Sequence, residues 1–208
     1  MSVPGSSYYD AIKRGTDILA ACLGLLLTAP LQAAIASFIS YKLGRPALFR
    51  QMRPGLDGQP FVLIKFRTML EEETEAEECC DADRLTPFGI WLRATSLDEL
   101  PSLWNVLRGD MSLVGPRPLL MHYLPHYNAE QARRHRVRPG ITGLAQVRGR
   151  NGLTWEDKFA ADIEYVDNRG PKLDLQILAA TVLSVLRREG VNAPGDATVP
   201  EFALRAQP

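Results

Sequence analysis

Residues 18–41 read ILAACLGLLLTAPLQAAIASFISY, 24 residues without a charged side chain. At about 1.5 Å per residue, a helix of that length reaches across a hydrocarbon core of roughly 30 Å. Three readings are open. Lys13 and Arg14 before the run, and Ala34-Ile35-Ala36 within it, resemble the n-region and cleavage site of a secretory signal. Against that, the apolar character continues to Ile39, and Cys22, Cys79 and Cys80 make no disulfide framework, which suits a reducing compartment. A spanning helix normally carries its basic excess on one flank. Here both flanks are basic, with Lys13 and Arg14 before the run and Lys42, Arg45, Arg50 and Arg53 after it. Pro30 lies at the middle, where it removes a backbone donor and predicts a bend, with Thr28 or a packed neighbour as partner for the freed groups. A helix bent at its centre with both ends on the positive side is a re-entrant hairpin. On the residues alone, re-entrant and spanning stay open.

The rest of the 208 residues has the composition of an ordinary folded chain, 46% apolar and 23% charged, which excludes disordered and collagenous classes. There are 24 basic and 24 acidic side chains, so a uniformly basic nucleic-acid binder is excluded and no nucleic acid is expected as partner. Eight of the acids fall between Glu71 and Asp83, a stretch without Lys or Arg. Outside it a basic surplus remains, suited to an anion or an anionic membrane face. Three segments result: an N-terminal membrane helix segment over 1–45, a catalytic domain over 46–189 and a tail over 190–208 rich in Pro and Gly without periodicity. The predicted fold is α+β and mostly helical.

Ala47 to Gln51 and Phe61 to Met69 flank a turn-rich stretch and read as a β-hairpin, whose second arm places Lys65 and Arg67 on one face. Leu97, Leu100, Leu103, Trp104 and Leu107 recur at helical spacing, opened by Ser96 with Glu99 three residues on, the pattern of a capping box. A helix start would also keep Asp98 and Glu99 ionised and point them in different directions, so that one can attack while the other holds a metal. Arg93 precedes the pair, and Gly115-Pro116-Arg117-Pro118 presents Arg117 from a stiff loop. Between Arg133 and Arg150 lie six Arg and no acid. Turns at Pro139–Gly143 and Gly149–Gly152 offer backbone N–H groups that, with Arg148 and Arg150, suit a phosphate. Trp155–Asp167 and Leu173–Leu186 are amphipathic helices, packed into the core or docked at an interface.

KFRTM at 65–69, SLDELP at 96–101, NVL at 105–107, GDMSLVGPRP at 109–118 and PGITG at 139–143 resemble, in order, the signature blocks of the bacterial sugar transferases. These are the monotopic phosphoglycosyl transferases that begin glycan assembly on a polyprenol carrier. The resemblance covers roughly Tyr8 to Leu186. It implies a re-entrant helix kinked at Pro30, where Ala29 replaces the serine many members carry, and amphipathic helices around a site on the cytoplasmic face of a bacterial inner membrane. It also implies that Asp98 attacks the β-phosphorus of a UDP-sugar, releasing UMP, and that polyprenol phosphate, an undecaprenyl phosphate, takes the phosphosugar. Glu99 is expected to hold Mg²⁺. Phosphate or nucleotide contacts are expected from Arg93, Arg117, Arg148 and Arg150, and from Lys65 and Arg67. Partners implied are UDP-sugar, polyprenol phosphate and bilayer lipids, with a homodimer permitted. Rival readings are a non-catalytic membrane-anchored binder of nucleotide sugars or anionic lipid, and a metal-dependent hydrolase.

Overall fold

A computed structural model describes residues 6–70, 84–149, 152–187 and Phe202. The acidic stretch 71–83, Arg150 and all of the expected tail except Phe202 lie outside the described residues.

The apolar run sits within one long helix, α1 (Ser6–Lys42), which passes through Pro30 as a single element of 37 residues. Proline removes the donor to the Leu26 carbonyl, four residues back. Thr28 was expected to satisfy the groups freed there. It does not: its Oγ1 donates to the Gly24 carbonyl at 2.6 Å and accepts from Gln32 Nε2 at 2.8 Å. A hydroxyl bonded to its own i−4 carbonyl favours helix bending at the same place.

Both flanks of α1 grip the rest of the protein. Near its start, Tyr9 Oη and Lys13 Nζ each donate to Asp174 Oδ2 at 2.7 Å, and Ser112 Oγ donates to Asp17 Oδ2 at 2.7 Å. Arg14 donates to the Val106 and Leu107 carbonyls at 2.6 and 2.9 Å, where a cation also answers the negative end of a helix. Near its end, Ile35 and Ile39 are buried with Phe66 and Leu92. Between these grips Leu26 and Leu27 remain 73% and 77% exposed.

The hairpin consists of β1 (Leu48–Pro54) and β2 (Pro60–Phe66), antiparallel, with Arg50 opposite Ile64 and Arg53 opposite Phe61. Phe61 and Leu63 enter a core with Ala21, Val106 and Met111. Beyond the hairpin, α2 (Pro87–Ala94) begins at a Thr86 cap that accepts from the Gly89 N–H. The periodic segment expected as one helix is two. A 3₁₀ helix spans Leu97–Ser102 and α3 spans Leu103–Arg108. Pro101 cannot donate to the Leu97 carbonyl and its ring crowds that oxygen, which disfavours an α-helical start. Asn105, fully buried, stitches α3 to the free edge of β2: its Oδ1 accepts from the Ile64 N–H at 3.1 Å and its Nδ2 donates to the Val62 carbonyl at 2.7 Å.

Two short parallel strands, β3 (Ser112–Val114) and β4 (Gly140–Thr142), bring the Gly115–Pro118 loop against the Pro139–Gly143 turn. The approach is close enough that a Cβ on Gly115 would lie 2.4 Å from the Arg138 carbonyl oxygen, and one on Gly140 would lie 2.1 Å from the Gly115 nitrogen. The chain closes with α4 (Leu144–Arg148), α5 (Trp155–Asn168) and α6 (Pro171–Arg187). Leu144, Ala161, Tyr165 and Ile177 from these helices join Val114 in a third core cluster. On α6, Ile177 is buried while Leu175, Val182, Leu183 and Leu186 are exposed. Phe202 packs among Tyr123, Trp155 and Phe159, its ring centroid 5.0 Å from that of Phe159.

Candidate active site

Two elements distant in sequence converge on the Asp98-Glu99 pair. From β2, Lys65 Nζ contacts Glu99 Oε1 at 2.5 Å; from the loop after β3, Arg117 Nη2 reaches the same oxygen at 3.2 Å. The Glu99 side chain is only 16% exposed. Burial alone would raise its pKa, but Lys65 and Arg117 outweigh that and hold it well below the usual carboxylate range. Asp98 shifts the other way, up to about 6, because burial and the neighbouring Glu99 charge outweigh the pull of Lys65, Arg117 and Arg93. Two adjacent carboxylates with opposed shifts are the signature of a division of labour.

The helix-start account of this pair needs correcting. Ser96 sits in the left-handed region at φ 56° and its side chain makes no capping bond. The Glu99 carboxylate, which a capping box would turn back toward Ser96, is drawn to Lys65 and Arg117 instead. The setting raises the Asp98 pKa rather than lowering it as a helix start would, because burial and a like charge dominate, yet a value of about 6 still leaves it ionised at neutral pH. Protonation of Asp98 therefore silences it first as the medium is acidified. If it must be ionised to act, the single-turnover rate falls on the order of tenfold per pH unit below about 6 and is flat above. Rapid-quench measurement of the first half-reaction across pH tests this, and a rate unchanged through that range would contradict it.

The other sequence-predicted residues divide. Arg93 Nε donates to Thr68 Oγ1 at 3.0 Å, which places Arg93 beside the site, within reach of Asp98 electrostatically. Arg67, expected to project with Lys65, does not: β2 ends at Phe66, and the buried Arg67 guanidinium donates to the Leu43 and Gly44 carbonyls at the end of α1. Arg148 is engaged by Glu164 through two bonds of 2.5 Å on a solvent-exposed face of α5. The turn at Pro139–Gly143 offers less to a phosphate than expected, because the Gly140 N–H donates to the Pro116 carbonyl at 3.0 Å.

Sequence reasoning missed two arginines. Arg53, counted only as a flanking charge, has its Nε buried without a partner, and burial together with Arg117 pushes its pKa down to about 10. Arg53 and Arg117, two guanidiniums near enough to repel, favour an anion between them. Arg134 was counted only among the six Arg between Arg133 and Arg150. Its side chain is 2% exposed, and its Nη2 donates both to Asp162 Oδ2 at 2.6 Å and to the Arg117 carbonyl at 2.7 Å. It therefore fixes the loop that carries Arg117. No signal in the local sequence marks either role, since Arg117 and Asp162, which define them, lie far along the chain.

Hard oxygen donors exist for a divalent cation. Lys65 and Arg117 both engage Oε1 of Glu99, which leaves Oε2 and the Asp98 carboxylate. Among the described residues no group of three or more potential ligands surrounds them. That donor set fits Mg²⁺, which commonly takes one or two carboxylates and completes its shell with water and substrate phosphate. The arrangement thus gathers the positive charge of Lys65, Arg93 and Arg117 around a basic, ionisable Asp98, a setting that suits an anion.

Residues 8–188 match the family described as bacterial sugar transferase. The chain is 50% identical over 192 residues to the uncharacterized sugar transferase EpsL of Bacillus subtilis (strain 168), covering 92% of this chain and 95% of that one. It is 47% identical over 189 residues to the UDP-glucose:undecaprenyl-phosphate glucose-1-phosphate transferase of Caulobacter vibrioides, covering 85% and 70%. It is also 38% identical over 196 residues to the exopolysaccharide production protein ExoY of Rhizobium meliloti, covering 86% and 87%.

Proposed function

The chain belongs to the bacterial sugar transferase family, and from that premise we propose that it transfers a sugar 1-phosphate from a UDP-sugar to undecaprenyl phosphate. The observation that carries the reading is the opposed pair, Glu99 pinned as an anion by Lys65 and Arg117 next to an Asp98 kept basic by burial. In the first step an Asp98 carboxylate oxygen bonds to the β-phosphorus, the bond from that phosphorus to the bridging oxygen breaks, and UMP departs with the electron pair. In the second, a phosphate oxygen of the lipid bonds to the same phosphorus, Asp98 is released as carboxylate, and the product is a polyprenol diphosphate sugar.

An anionic nucleophile approaching an anionic diphosphate makes charge neutralisation the main requirement, and arginines and a lysine already aimed at the spot supply it without reorganisation. Mg²⁺, when bound, adds Lewis-acid stabilisation of charge on the phosphoryl oxygens. Glu99 would be its principal protein ligand. Because Lys65 and Arg117 already offset the Glu99 charge, the cation gains little from the protein alone and binds chiefly together with the diphosphate. Excess EDTA is expected to abolish turnover, and Glu99→Gln to lower it steeply while the protein still folds; full activity in EDTA excludes the metal role. Arg148 serves as a phosphate contact in this proposal only once Glu164 is displaced from it, and Arg150, outside the described residues, is retained as a proposed contact.

The raised Asp98 pKa favours a second reading, in which Asp98 is a general base for direct attack by the lipid phosphate. The two mechanisms make different products when lipid is absent. Incubating membranes with a panel of UDP-sugars and undecaprenyl phosphate, and measuring UMP release, tests the shared reaction.

The site is proposed to face the cytoplasm from a re-entrant α1. Tyr9 and Ile39, about 45 Å apart along a straight helix, both hold the same folded body, and the exposed leucines of α1 and α6 form apolar surface of the kind that meets lipid. With the native cysteines replaced, cysteines at Tyr8 and Asp57 are expected to react alike with an impermeant reagent in intact cells. Labelling at one position only excludes the re-entrant form.

A further inference from the structure

Between α1 and the hairpin opens a cleft of about 450 Å³, lined by Leu25, Ala33, Phe66, Pro101 and Trp104, with Arg50 in its wall. Pockets of roughly 300–1,000 Å³ are those that take small molecules. The surrounding surface is nearly all apolar. Its one amide, that of Gln32, is already engaged by Thr28 Oγ1. Arg50 lies opposite Ile64 in the hairpin, and cross-strand partners share a face, so its side chain stands on the cleft side of the sheet. Among the described residues no hydrogen bond or ion pair engages its guanidinium.

We infer that this cleft seats the lipid acceptor: it holds the phosphate-proximal isoprene units of a polyprenyl phosphate, with the phosphate drawn to Arg50. The inference rests on the function proposed above. Four observations carry it. Leu25 and Ala33 belong to the uncharged run of α1, so a hydrocarbon chain passes from bilayer to cleft without crossing water. A wall that, apart from Arg50, offers no free donor suits a chain that has no acceptors. An uncompensated guanidinium at its edge suits a phosphate monoester. Finally, Pro101 belongs to the same 3₁₀ helix as Asp98 and Glu99 and follows Asp98 by three residues, the spacing that shares a face in such a helix, so the cleft borders the element that carries the reacting pair.

Two measurements on the full-length protein in nanodiscs test this. Farnesyl phosphate carrying a diazirine beside the phosphate is expected to label peptides containing residues 25–36 or 101–104. Undecaprenyl phosphate should compete and phosphatidic acid should not, and Arg50→Gln should reduce the labelling while Arg50→Lys restores much of it. Ala33→Phe, which places a ring in the cleft from an exposed position, is expected to raise KM for undecaprenyl phosphate about tenfold, with the UMP burst from UDP-sugar alone retained. Leu27→Phe, on the exposed surface of α1 outside the cleft, should change neither. Labelling on the exposed face of α6, equal competition by phosphatidic acid, or identical behaviour of Ala33→Phe and Leu27→Phe overturns the assignment. Specific labelling of the cleft by a protein that releases no UMP supports the lipid site and refutes the proposed reaction, so the two failures are separable.

Discussion

Mixed with its UDP-sugar and no lipid, the enzyme is expected to release about one equivalent of UMP and to gain the mass of one sugar phosphate on the peptide that contains Asp98. Asp98→Asn preserves the shape of the side chain and removes the nucleophile. Its burst and adduct should vanish, and turnover should fall by about 10⁴-fold or more, as for other enzymes stripped of the attacking group. Binding of UDP-sugar should survive, because Lys65, Arg93 and Arg117 are untouched. A protein that merely binds nucleotide sugars would show affinity without any burst. Quenched intact-mass spectra without an adduct, alongside lipid product and kinetics requiring both substrates together, would assign Asp98 to general-base work and refute the two-step route.

Asp162→Asn is expected to be the most damaging single change away from the carboxylate pair. Asp162 and Arg134 are 4% and 2% exposed, with Asp162 Oδ1 already lacking a partner, so removing the charge strands a buried guanidinium. Breaking such a pair costs about 3–5 kcal/mol, or roughly 10 °C in melting temperature for a chain of this size. Neutralising the exposed Arg148–Glu164 pair should cost only about 0.2–1 kcal/mol. Replacing both buried partners, Arg134→Met with Asp162→Leu, should recover much of the stability. Activity should stay low in that double variant, because the bond from Arg134 to the Arg117 carbonyl is still missing. Thermal melts and kcat/KM measured together check the pair, and recovery of both in parallel would show that Arg134 does not position Arg117.

What the sequence made legible was what depends on near neighbours. The alternation from Phe61 to Phe66 gave the hairpin and the inward face of Phe61 and Leu63. The uncharged run gave α1, and the spacing of Trp155, Phe159, Ile163 and Val166 gave α5 with its packed side. The acidic pair and the arginines of the site could be named, but their couplings could not. Lys65 meets Glu99 across 34 residues, and the periodicity of neither segment records that meeting. The basic stretch from Arg133 to Arg150 contains no acid, which suggested free cations. Its acids arrive from α5, where Asp162, Glu164 and Asp167 take Arg134, Arg148 and Arg133 in turn. Arg67 misled for a more local reason. Alternation applies only while the strand lasts, and the strand ends one residue earlier.

The grip of α1 at both ends has a mechanical consequence. A catalytic body hung from a bilayer by one helix and a slack linker swivels, and each encounter with a lipid must first find the right attitude. Here Asp174 holds one end of the helix, and Phe66 with Leu92 holds the other. Two moorings remove the swivel that one would leave. On the membrane placement proposed above, the orientational search is completed during folding, once, and a lipid acceptor would meet a reaction centre already facing it.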